Sequence, residues 1–292
     1  MASLCVTMVR PKISVIILSD KFGGLDITVD GLKKQTFKDF EVLLIDELYE
    51  KRKGLVTDYF VENGIADFRH LPIERNLLLW RTFCAATNTG IIHAETEDCV
   101  VTLCDFLWIP PEFLGNAWQL HEAFKGKAAF SGFKHWSRSP PVTRPDNPIQ
   151  IHERPFDGTK YEFHFYMNHE PSPALEPDLA QALLNTDHSW IAQDVMAFPM
   201  EGLVRVNGYD ERYDKEVSDS PWDLATRLVL AGYLVFLTKH LNGYHIEHAH
   251  SVRPIPNSTI FPTRYRQYLF LGNRECYYAP NAFNLAELKA KK

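Results

Sequence analysis

Apolar runs of strand length alternate with amphipathic stretches through the first part of the chain. The run at 12–18 (KISVIIL) and the run at 40–46 (FEVLLID) each have the length and composition of a buried strand. Between them, residues 27–35 (ITVDGLKKQ) have the spacing of a helix. A strand, a helix and a second strand in this order predict a β-α-β unit, which implies a parallel sheet.

The same alternation continues as far as Leu114. A helix is predicted over 77–94, then a strand at 99–105 (CVVTLCD), and then a helix that begins at IPPEFL with proline in its first turn. Asp46 and Asp105 each stand where a strand ends. Because ligands of open parallel sheets bind beyond the carboxyl ends of the strands, both carboxylates are candidates for a binding site.

The middle of the chain has a different character. The segment Ser139–Pro177 contains eight of the 18 prolines, which predicts a long loop with one short strand at 160–167 (KYEFHFYM). Regular patterns return with a helix at 220–233 (SPWDLATRLVLAGY) and a strand at 234–238 (LVFLT). A cluster of histidines, GYHIEHAHS, follows that strand.

Composition narrows the class of protein. Hydrophobic residues make up 45% of the chain and charged residues 23%, as in globular proteins, and a net charge of −6 gives no general attraction to nucleic acid. The five cysteines show no CxxC pairing, which favours a reducing compartment. The longest apolar runs fall far short of the roughly 20 residues that span a bilayer. We therefore expect a cytoplasmic protein with no transmembrane segment, and its oligomeric state stays open.

Four blocks of sequence together resemble the family-two, GT-A-fold nucleotide-sugar glycosyltransferases. They are ISVIILSDKFGG...LKKQTFKDFEVLLIDE, ATNTGIIHAETEDCVVTLCDFLWIPPEFL, VNGYDERYD and WDLATRLVLAGY, in the family's order. The resemblance covers about residues 11–250. It implies an α/β protein, a GT-A (Rossmann-like) α/β/α sandwich with a mixed, mainly parallel sheet. We expect one domain over 1–250 with a proline-rich loop insertion at about 134–177, and a C-terminal extension, 251–292, that packs on the same domain.

The resemblance also implies a nucleotide site at the strand ends. By position, Asp46 takes the role of the aspartate that hydrogen-bonds the nucleobase or ribose in the family; alternatively it only caps the next turn. The other residues expected in the nucleotide site are Leu18, Ser19, Asp20, Asn88 and Asp105. Thr87, next to Asn88, stands where the family often has arginine.

A divalent cation is the cofactor that the resemblance implies. The family binds Mn²⁺ or Mg²⁺ through an acidic cluster, but the four matching positions here are Cys104, Asp105, Phe106 and Leu107, so one carboxylate is left. Histidines after the last strand complete the metal site in several relatives. The predicted ligands are therefore Asp105, His245, His248 and His250. The alternatives are that Asp105 binds backbone amides at a strand end and that the histidines are ordinary surface or core residues.

The family's catalytic base has no matching carboxylate at the same positions of this sequence. Ser220 and Pro221 occupy the positions of the acidic pair from which the family takes its general base. Asp219 and Asp223 are the nearest carboxylates and are the two candidates for the catalytic residue. For Asp223 there is a structural alternative, because SPWD has the pattern of a helix N-terminus with Ser220 as the cap.

These features predict an enzyme that moves a sugar from a nucleoside-diphosphate donor, expected to be a UDP-sugar, to an acceptor hydroxyl with inversion. The acceptor can be a glycan, a small molecule, a protein or a modified nucleic acid. The alternative is a degenerate GT-A domain that binds nucleotide or glycan without turnover, as the thinned acidic motif suggests. A nucleotidyltransferase of related architecture is a third hypothesis, and the NGYDERYD...DLATRL half of the sequence argues against it.

Overall fold

The computed structural model describes residues 10–73, 83–137, 147–151, 157, 160–165, 194–215, 220–248 and 277–291. Within these residues the strands are β1 (Ile13–Ser19), β2 (Phe40–Asp46), β3 (Phe68–Pro72), β4 (Cys99–Cys104), β5 (Leu107–Trp108), β6 (Ala128–Ser137), β7 (Phe163–Phe165), β8 (Val195–Pro199) and β9 (Leu234–His245). The α-helices are α1 (Leu25–Lys33), α2 (Tyr49–Glu62), α3 (Phe83–His93), α4 (Phe113–Ala123), α5 (Met200–Arg205), α6 (Ser220–Leu230) and α7 (Leu285–Ala290). A 3₁₀ helix covers Glu211–Lys215.

All of the strands belong to one mixed sheet. Its order is β3-β2-β1-β4-β8-β6-β9-β5, with β7 added to β6. The four strands from β3 to β4 are parallel, as are β6 and β9, whereas β8 runs antiparallel to both of its neighbours. The sheet is mainly parallel because its parallel ladders together pair more residues than its antiparallel ladders do. The predicted pairing of the first two strands is confirmed, with Ile13 opposite Phe40 and Ser19 opposite Asp46.

Hydrophobic cores lie on both faces of this sheet. One core packs side chains of α1, α2 and α4 against the strands, among them Leu32, Phe60 and Phe113. The other packs α3, α5, α6 and α7 against the opposite face, with Leu203 and Leu228 among its fully buried members. The strands can be apolar along their whole length because each face is covered, which is why they read as continuous hydrophobic runs.

The structure differs from the predicted elements in several places. Helix α2 and strand β3 were not predicted, and β9 extends to His245 where the pattern predicted a strand ending at residue 238. Within the helix predicted over 77–94, the described part is α3, and within the strand predicted over 160–167, the described part is β7. Most of the proline-rich segment lies outside the described residues. In the part of the chain that the structure describes, no helix is long and apolar enough to cross a bilayer.

The last described segment, 277–291, packs on the main domain through Asn207. The Asn207 amide donates to the backbone carbonyls of Ala279 and Phe283, 2.9 and 3.0 Å away, and its side-chain oxygen accepts from the amide of Leu285. Leu285 is fully buried in the core beside α3. Asn207 has a φ of 60°, a left-handed conformation that asparagine tolerates better than most residues.

Candidate active site

The carboxyl ends of three neighbouring strands bring the first candidate residues together. In the sheet, Ser19 at the end of β1 lies opposite Asp46 at the end of β2, and Leu18 lies opposite Cys104 at the end of β4. Asp105 follows immediately, and its amide donates to the carbonyl of Leu18 at 3.1 Å. The structure therefore places the predicted positions at one edge of the sheet because the strands are parallel and in register.

Asp46 is fully buried and is held by an arginine and a histidine. Its Oδ1 accepts from Arg52 Nη2 at 2.8 Å and from the amide of Leu48 at 2.7 Å, while its Oδ2 accepts from Arg52 Nε at 2.7 Å and is 2.8 Å from His70 Nε2. Burial alone raises the pKa of Asp46, but the hydrogen bonds from His70 and Arg52 bring that pKa below its ordinary value. An ionised carboxylate has about four acceptor sites, so these contacts occupy both of its oxygens.

Arg52 connects this pair to the rest of the strand ends. Its side chain is fully buried, Nη1 donates to the backbone carbonyls of Lys21 and Pro148 at 2.8 and 2.7 Å, and Nη2 donates to Ser19 Oγ at 2.6 Å. Ser19 Oγ in turn donates to Asp105 Oδ2 at 2.7 Å. A continuous hydrogen-bonded path thus runs from β2 through Arg52 and Ser19 to the end of β4.

Asp105 is the carboxylate at the centre of the edge. Burial raises its pKa to about 6, against the opposing positive charge of Lys21. The residue after it, Phe106, has a φ of 59°, which turns the chain sharply into β5. The Phe106 ring packs against Gly24, where a Cβ atom would come within 2.2 Å of it. This close approach explains why a glycine stands at position 24.

Two lysine–aspartate pairs flank Asp105. Lys21 pairs with Asp20 in the loop after β1, and Lys134 on β6 pairs with Asp194, the residue before β8. Burial alone lowers the pKa of each lysine, but the negative charges around them raise both pKa values above the usual range: Asp105 and Asp20 for Lys21, and chiefly Asp194 for Lys134. Both lysines are therefore ammonium ions at neutral pH.

The two described histidines of the C-terminal cluster lie side by side. The rings of His245 and His248 are 5.1 Å apart, and both side chains are buried. His245 packs on Trp136 at 4.3 Å between ring centroids, and His248 packs on Phe106 at 4.3 Å. The backbone amide of Ile246 donates to the carbonyl of Phe106, which ties this corner to the turn after Asp105. His250 lies outside the described residues.

The cation site predicted from the resemblance does not fit the side chains that the structure describes. Among these residues, no group of three or more histidines, cysteines, aspartates or glutamates is arranged to hold a metal ion. Asp105 accepts from Ser19 and is acted on by the positive charge of Lys21, and the His245 and His248 rings are in contact with aromatic rings. Mn²⁺ and Mg²⁺ need several oxygen or imidazole ligands that converge on one point.

Asp223, one of the two candidates for the base, belongs to a buried ion pair. Its Oδ2 accepts from Arg227 Nε at 2.7 Å, and both side chains are fully buried. Arg227 Nη1 also donates to the carbonyls of Val206 and Gly208 at 2.9 and 2.8 Å. The Tyr213 hydroxyl donates a hydrogen bond to Asp223 Oδ1 at 3.3 Å. These contacts describe a structural role. The other candidate, Asp219, lies outside the described residues.

Asn88 and Asp214 fasten α3 to the turn before α6. The Asn88 side-chain oxygen accepts from the amide of Tyr209 at 2.8 Å, and its NH₂ group donates to the Tyr209 carbonyl at 2.9 Å. Asp214 accepts from the amides of Cys84 and Ala85 at 2.7 and 2.9 Å, and so caps the N-terminus of α3. These contacts assign Asn88 a structural use; its role in the nucleotide site stays a prediction.

Several residues of the edge were not found by sequence reasoning: Lys21, Arg52, His70, Lys134 and Asp194. Lys21 directly follows the predicted LSD segment and was within reach of the same argument. The others come from elements without a motif, and their contacts join positions far apart in the chain, such as Lys134 and Asp194. Their proximity follows from the strand order, which the sequence pattern alone does not specify.

Comparison with known proteins shows the fold. No protein-family model and no curated protein matches the sequence. Among solved structures, S. aureus TarS 1-349 in complex with UDP-GlcNAc matches with a TM-score of 0.59 and 12% identity, over 96% of this chain and 71% of that one. The same protein in complex with UDP matches with a TM-score of 0.55 and 14% identity, over 80% of this chain.

A third neighbour is GalNAc-T7 in a structure with UDP, GalNAc and Mn²⁺. It matches with a TM-score of 0.57 and 14% identity, over 96% of this chain. The chain spans 54% of that protein and 60% of the UDP-bound TarS chain. These neighbours are GT-A-type glycosyltransferases, so the predicted GT-A fold with its mixed, mainly parallel sheet is confirmed.

Proposed function

We propose that the chain is a glycosyltransferase that transfers a sugar from a UDP-sugar to an acceptor hydroxyl. The observation that carries this proposal is the edge at which Asp46, Ser19 and Asp105 meet, at the carboxyl ends of adjacent parallel strands. Ligands of open α/β sheets bind at such edges. Structures of the same fold hold UDP or UDP-GlcNAc, which supports a uridine-linked donor.

In this proposal the donor lies along the edge with its nucleoside towards β2 and its diphosphate towards β4. Asp46 contributes by fixing Arg52 and His70 and, where the nucleoside displaces one of these contacts, by accepting from the base or ribose. Leu18, Ser19 and Asp20 line the same pocket. Asp105 faces the diphosphate and the sugar, where burial strengthens electrostatic interactions. The cation predicted from the resemblance stays a prediction, and no step of the proposal depends on it.

We infer inversion and membership of family two from the order of the four sequence blocks. An inverting transfer needs a base for the proton of the attacking hydroxyl, and a positioned carboxylate typically contributes about 10²–10⁴-fold to the rate. We assign this role to Asp219, since Asp223 is fully buried in its ion pair with Arg227. Asp219→Asn should slow transfer by about 10²–10⁴-fold and leave UDP affinity unchanged. Asp223→Asn should lower stability instead.

The test of the function is direct. The full chain is incubated with UDP-GlcNAc, UDP-GalNAc, UDP-glucose and UDP-galactose, with and without Mn²⁺, and the release of UDP is measured. We expect one donor to be hydrolysed above the others, with loss of this activity in Asp105→Asn. NMR of the released sugar, recorded before it mutarotates, checks the inversion. If neither UDP nor any of the donors binds, the proposal is wrong.

A second candidate function rests on the single carboxylate at the end of β4. A GT-A domain that has lost the rest of its acidic cluster can keep its nucleotide pocket and lose turnover. UDP binding without UDP release from any donor, with acceptors including simple glycosides present, would favour this binding role. The cytoplasmic location inferred from the cysteine pattern stays a prediction for either function.

A further inference from the structure

We propose that Lys21 and Lys134 bind the diphosphate of the donor in the place where a divalent cation would otherwise stand, so that donor binding needs no metal ion. This inference rests on the proposed function and specifies how the same site neutralises the donor's charge.

The position of the two lysines follows from the strand order. Strand β4 lies between β1 and β8, and β6 lies beyond β8. Lys21 stands two residues after β1, and Lys134 is on β6, where it pairs with Asp194 at the start of β8. With strands about 4.8 Å apart, the two lysine backbones flank the end of β4 across roughly 14 Å. Long side chains that start on opposite sides of one strand end can converge on a ligand placed over it.

Electrostatic effects on a third residue agree with this placement. Burial raises the pKa of the Cys104 thiol, and the positive charges of Lys134 and Lys21 both oppose that rise. The two ammonium groups therefore act on the same strand end from its two sides. Asp105, the next residue, is also close to both of them.

The charged groups at this end of the sheet can be compared with those of a metal site. Three carboxylates stand at this end of the sheet, those of Asp20, Asp105 and Asp194, together with the two ammonium groups. In a site that uses a metal, a divalent ion bridges the carboxylates and the diphosphate and stabilises the charge of the departing nucleotide. Two lysines supply the same formal charge of +2. The described side chains offer no convergent set of metal ligands but do offer this pair of cations.

The lysines can also be reached by a ligand. The side chain of Lys21 is 26% exposed and that of Lys134 is 14% exposed, so neither is sealed inside the core. Each ammonium group has three N–H donors, and lysine binds phosphate as a compact point charge. A diphosphate can thus accept from each lysine while the carboxylate pairs continue to hold the ammonium groups in position. Fixed cations of this kind stabilise the negative charge that develops as the nucleotide leaves.

The experiment measures binding of two probes, UDP and uridine, by calorimetry in excess EDTA and again with Mn²⁺. We expect UDP to bind in EDTA with the affinity that it has in Mn²⁺. Lys21→Met and Lys134→Met should each weaken UDP binding by about tenfold, the scale of one lost charge-assisted contact. Uridine, which lacks the diphosphate, should bind to both variants as it binds to the wild type.

The chain offers a control in Lys127, whose ion pair is more exposed than that of Lys134. Like Lys134, it forms an ion pair with a carboxylate, that of Glu201, and lies over an aromatic ring, that of Tyr233. Lys134 lies over Trp136 in the same way, but Lys127 precedes the opposite end of β6. Lys127→Met should therefore leave UDP affinity unchanged. Because Lys134→Met leaves Asp194 without its cation, the double variant Lys134→Met/Asp194→Asn is measured as well, and it should show the same selective loss of UDP affinity.

The outcomes separate this inference from the proposed function. UDP binding that disappears in EDTA and returns with Mn²⁺ would overturn the lysine site and leave the glycosyltransferase proposal intact. Equal losses of UDP and uridine affinity in the lysine variants would show a structural effect and also overturn it. If the wild type binds neither probe nor any UDP-sugar under either condition, the proposed function fails, and this inference fails with it.

Discussion

Two buried aspartate–arginine pairs use the same interaction for different purposes. Asp46–Arg52 and Asp223–Arg227 both have an Nε···Oδ2 distance of 2.7 Å, and all four side chains are fully buried. The other Arg227 donors that have a described acceptor are on Nη1 and go to the carbonyls of Val206 and Gly208, inside one turn. Those of Arg52 reach Ser19 and the loop carbonyls around the strand ends. What distinguishes the pairs is where the arginine's other donors go.

This difference predicts that one pair serves stability alone, whereas the other serves stability and donor binding. A buried pair is not by itself evidence of either, since desolvation can cost as much as the attraction returns. Breaking it by removing one partner is nevertheless expensive, because an uncompensated charge stays buried. Substitutions of the two arginines therefore test the two pairs against each other.

The largest effect is expected from Arg227→Met. This change leaves the fully buried Asp223 without its cation and should lower the free energy of unfolding by about 3–5 kcal/mol. Urea denaturation at neutral pH measures the loss. In the absence of urea, and at a temperature low enough for the variant to be folded, its UDP affinity should equal that of the wild type. A tenfold weaker affinity in the folded variant would contradict the purely structural role of this pair.

Arg52→Lys should have a smaller effect on stability and a specific effect on binding. Lysine keeps the positive charge but cannot reach Asp46, Ser19 and the two loop carbonyls at once, because it lacks the planar fork of arginine. We expect a loss of about 1.5–3 kcal/mol in stability, the scale of hydrogen bonds to charged groups. UDP affinity should fall by about tenfold, which corresponds to 1.4 kcal/mol.

The matched variant for this measurement is Arg227→Lys. It removes the same fork from the other pair and should lower stability by a similar amount without changing UDP affinity. If Arg52→Lys and Arg227→Lys bind UDP equally well, the two pairs do not differ in their role in donor binding. The role of Arg52 would then be structural as well.

How far the sequence predicts this arrangement can be judged from the same residues. The strand ends at Asp46 and Asp105 were predicted, because a long apolar run that ends in a carboxylate is a strong local signal. Helix α2, which carries Arg52, was missed because its three buried positions are Arg52, Val56 and Phe60, so its apolar stripe is thin. Arginine is usually found at the surface, so the sequence gives no sign that this one is buried. Only the tertiary structure reveals the carboxylate that accepts its hydrogen bonds.

The flanking charges show the same limit. Lys134 and Asp194 form their ion pair across two strands that are far apart in the chain and are brought together by the antiparallel insertion of β8. Strand β3 escaped prediction because Arg69 and His70 interrupt its apolar pattern, although His70 contacts Asp46. Periodicity predicts which face of an element is buried, but it does not predict which buried polar groups will meet.

Asp214 provides a third buried carboxylate, and it differs from the two arginine-bound ones. It accepts from the amides of Cys84 and Ala85, and burial raises its pKa to about 7, whereas the pKa of Asp46 lies below its ordinary value. The folded state therefore binds a proton more tightly than the unfolded state at this carboxyl. The stability that this proton gives is fully present below the ordinary pKa of 3.8 and is lost as the pH rises through about 7.

The measurement that checks this is the difference in unfolding free energy between the wild type and Asp214→Asn from pH 3.5 to 8. The wild type should lose stability relative to the variant between about pH 4 and pH 7, and the difference should be constant above that range. A difference that grows in the opposite direction would mean that the amide hydrogen bonds outweigh burial. The pKa of Asp214 would then lie below its ordinary value, as that of Asp46 does.

Ser19→Ala should have the smallest effect, and it tests whether the Asp46–Arg52 pair is connected to the donor site at all. Ser19 Oγ accepts from Arg52 Nη2 and donates to Asp105 Oδ2, so its removal interrupts the path between the pair and the centre of the edge. We expect a loss of about 1 kcal/mol in stability. UDP affinity should fall by about threefold, a fraction of one such contact.

The control is Ser14→Ala at the other end of β1, where the buried Ser14 hydroxyl also donates to a carboxylate, that of Glu41. Both serines lie on β1, are buried and donate to a carboxylate. They differ in whether that carboxylate faces the donor site. Ser14→Ala should therefore lose a similar amount of stability with no change in UDP affinity. Equal UDP affinities in the two variants would mean that the hydrogen-bonded path from Arg52 to Asp105 does not contribute to donor binding.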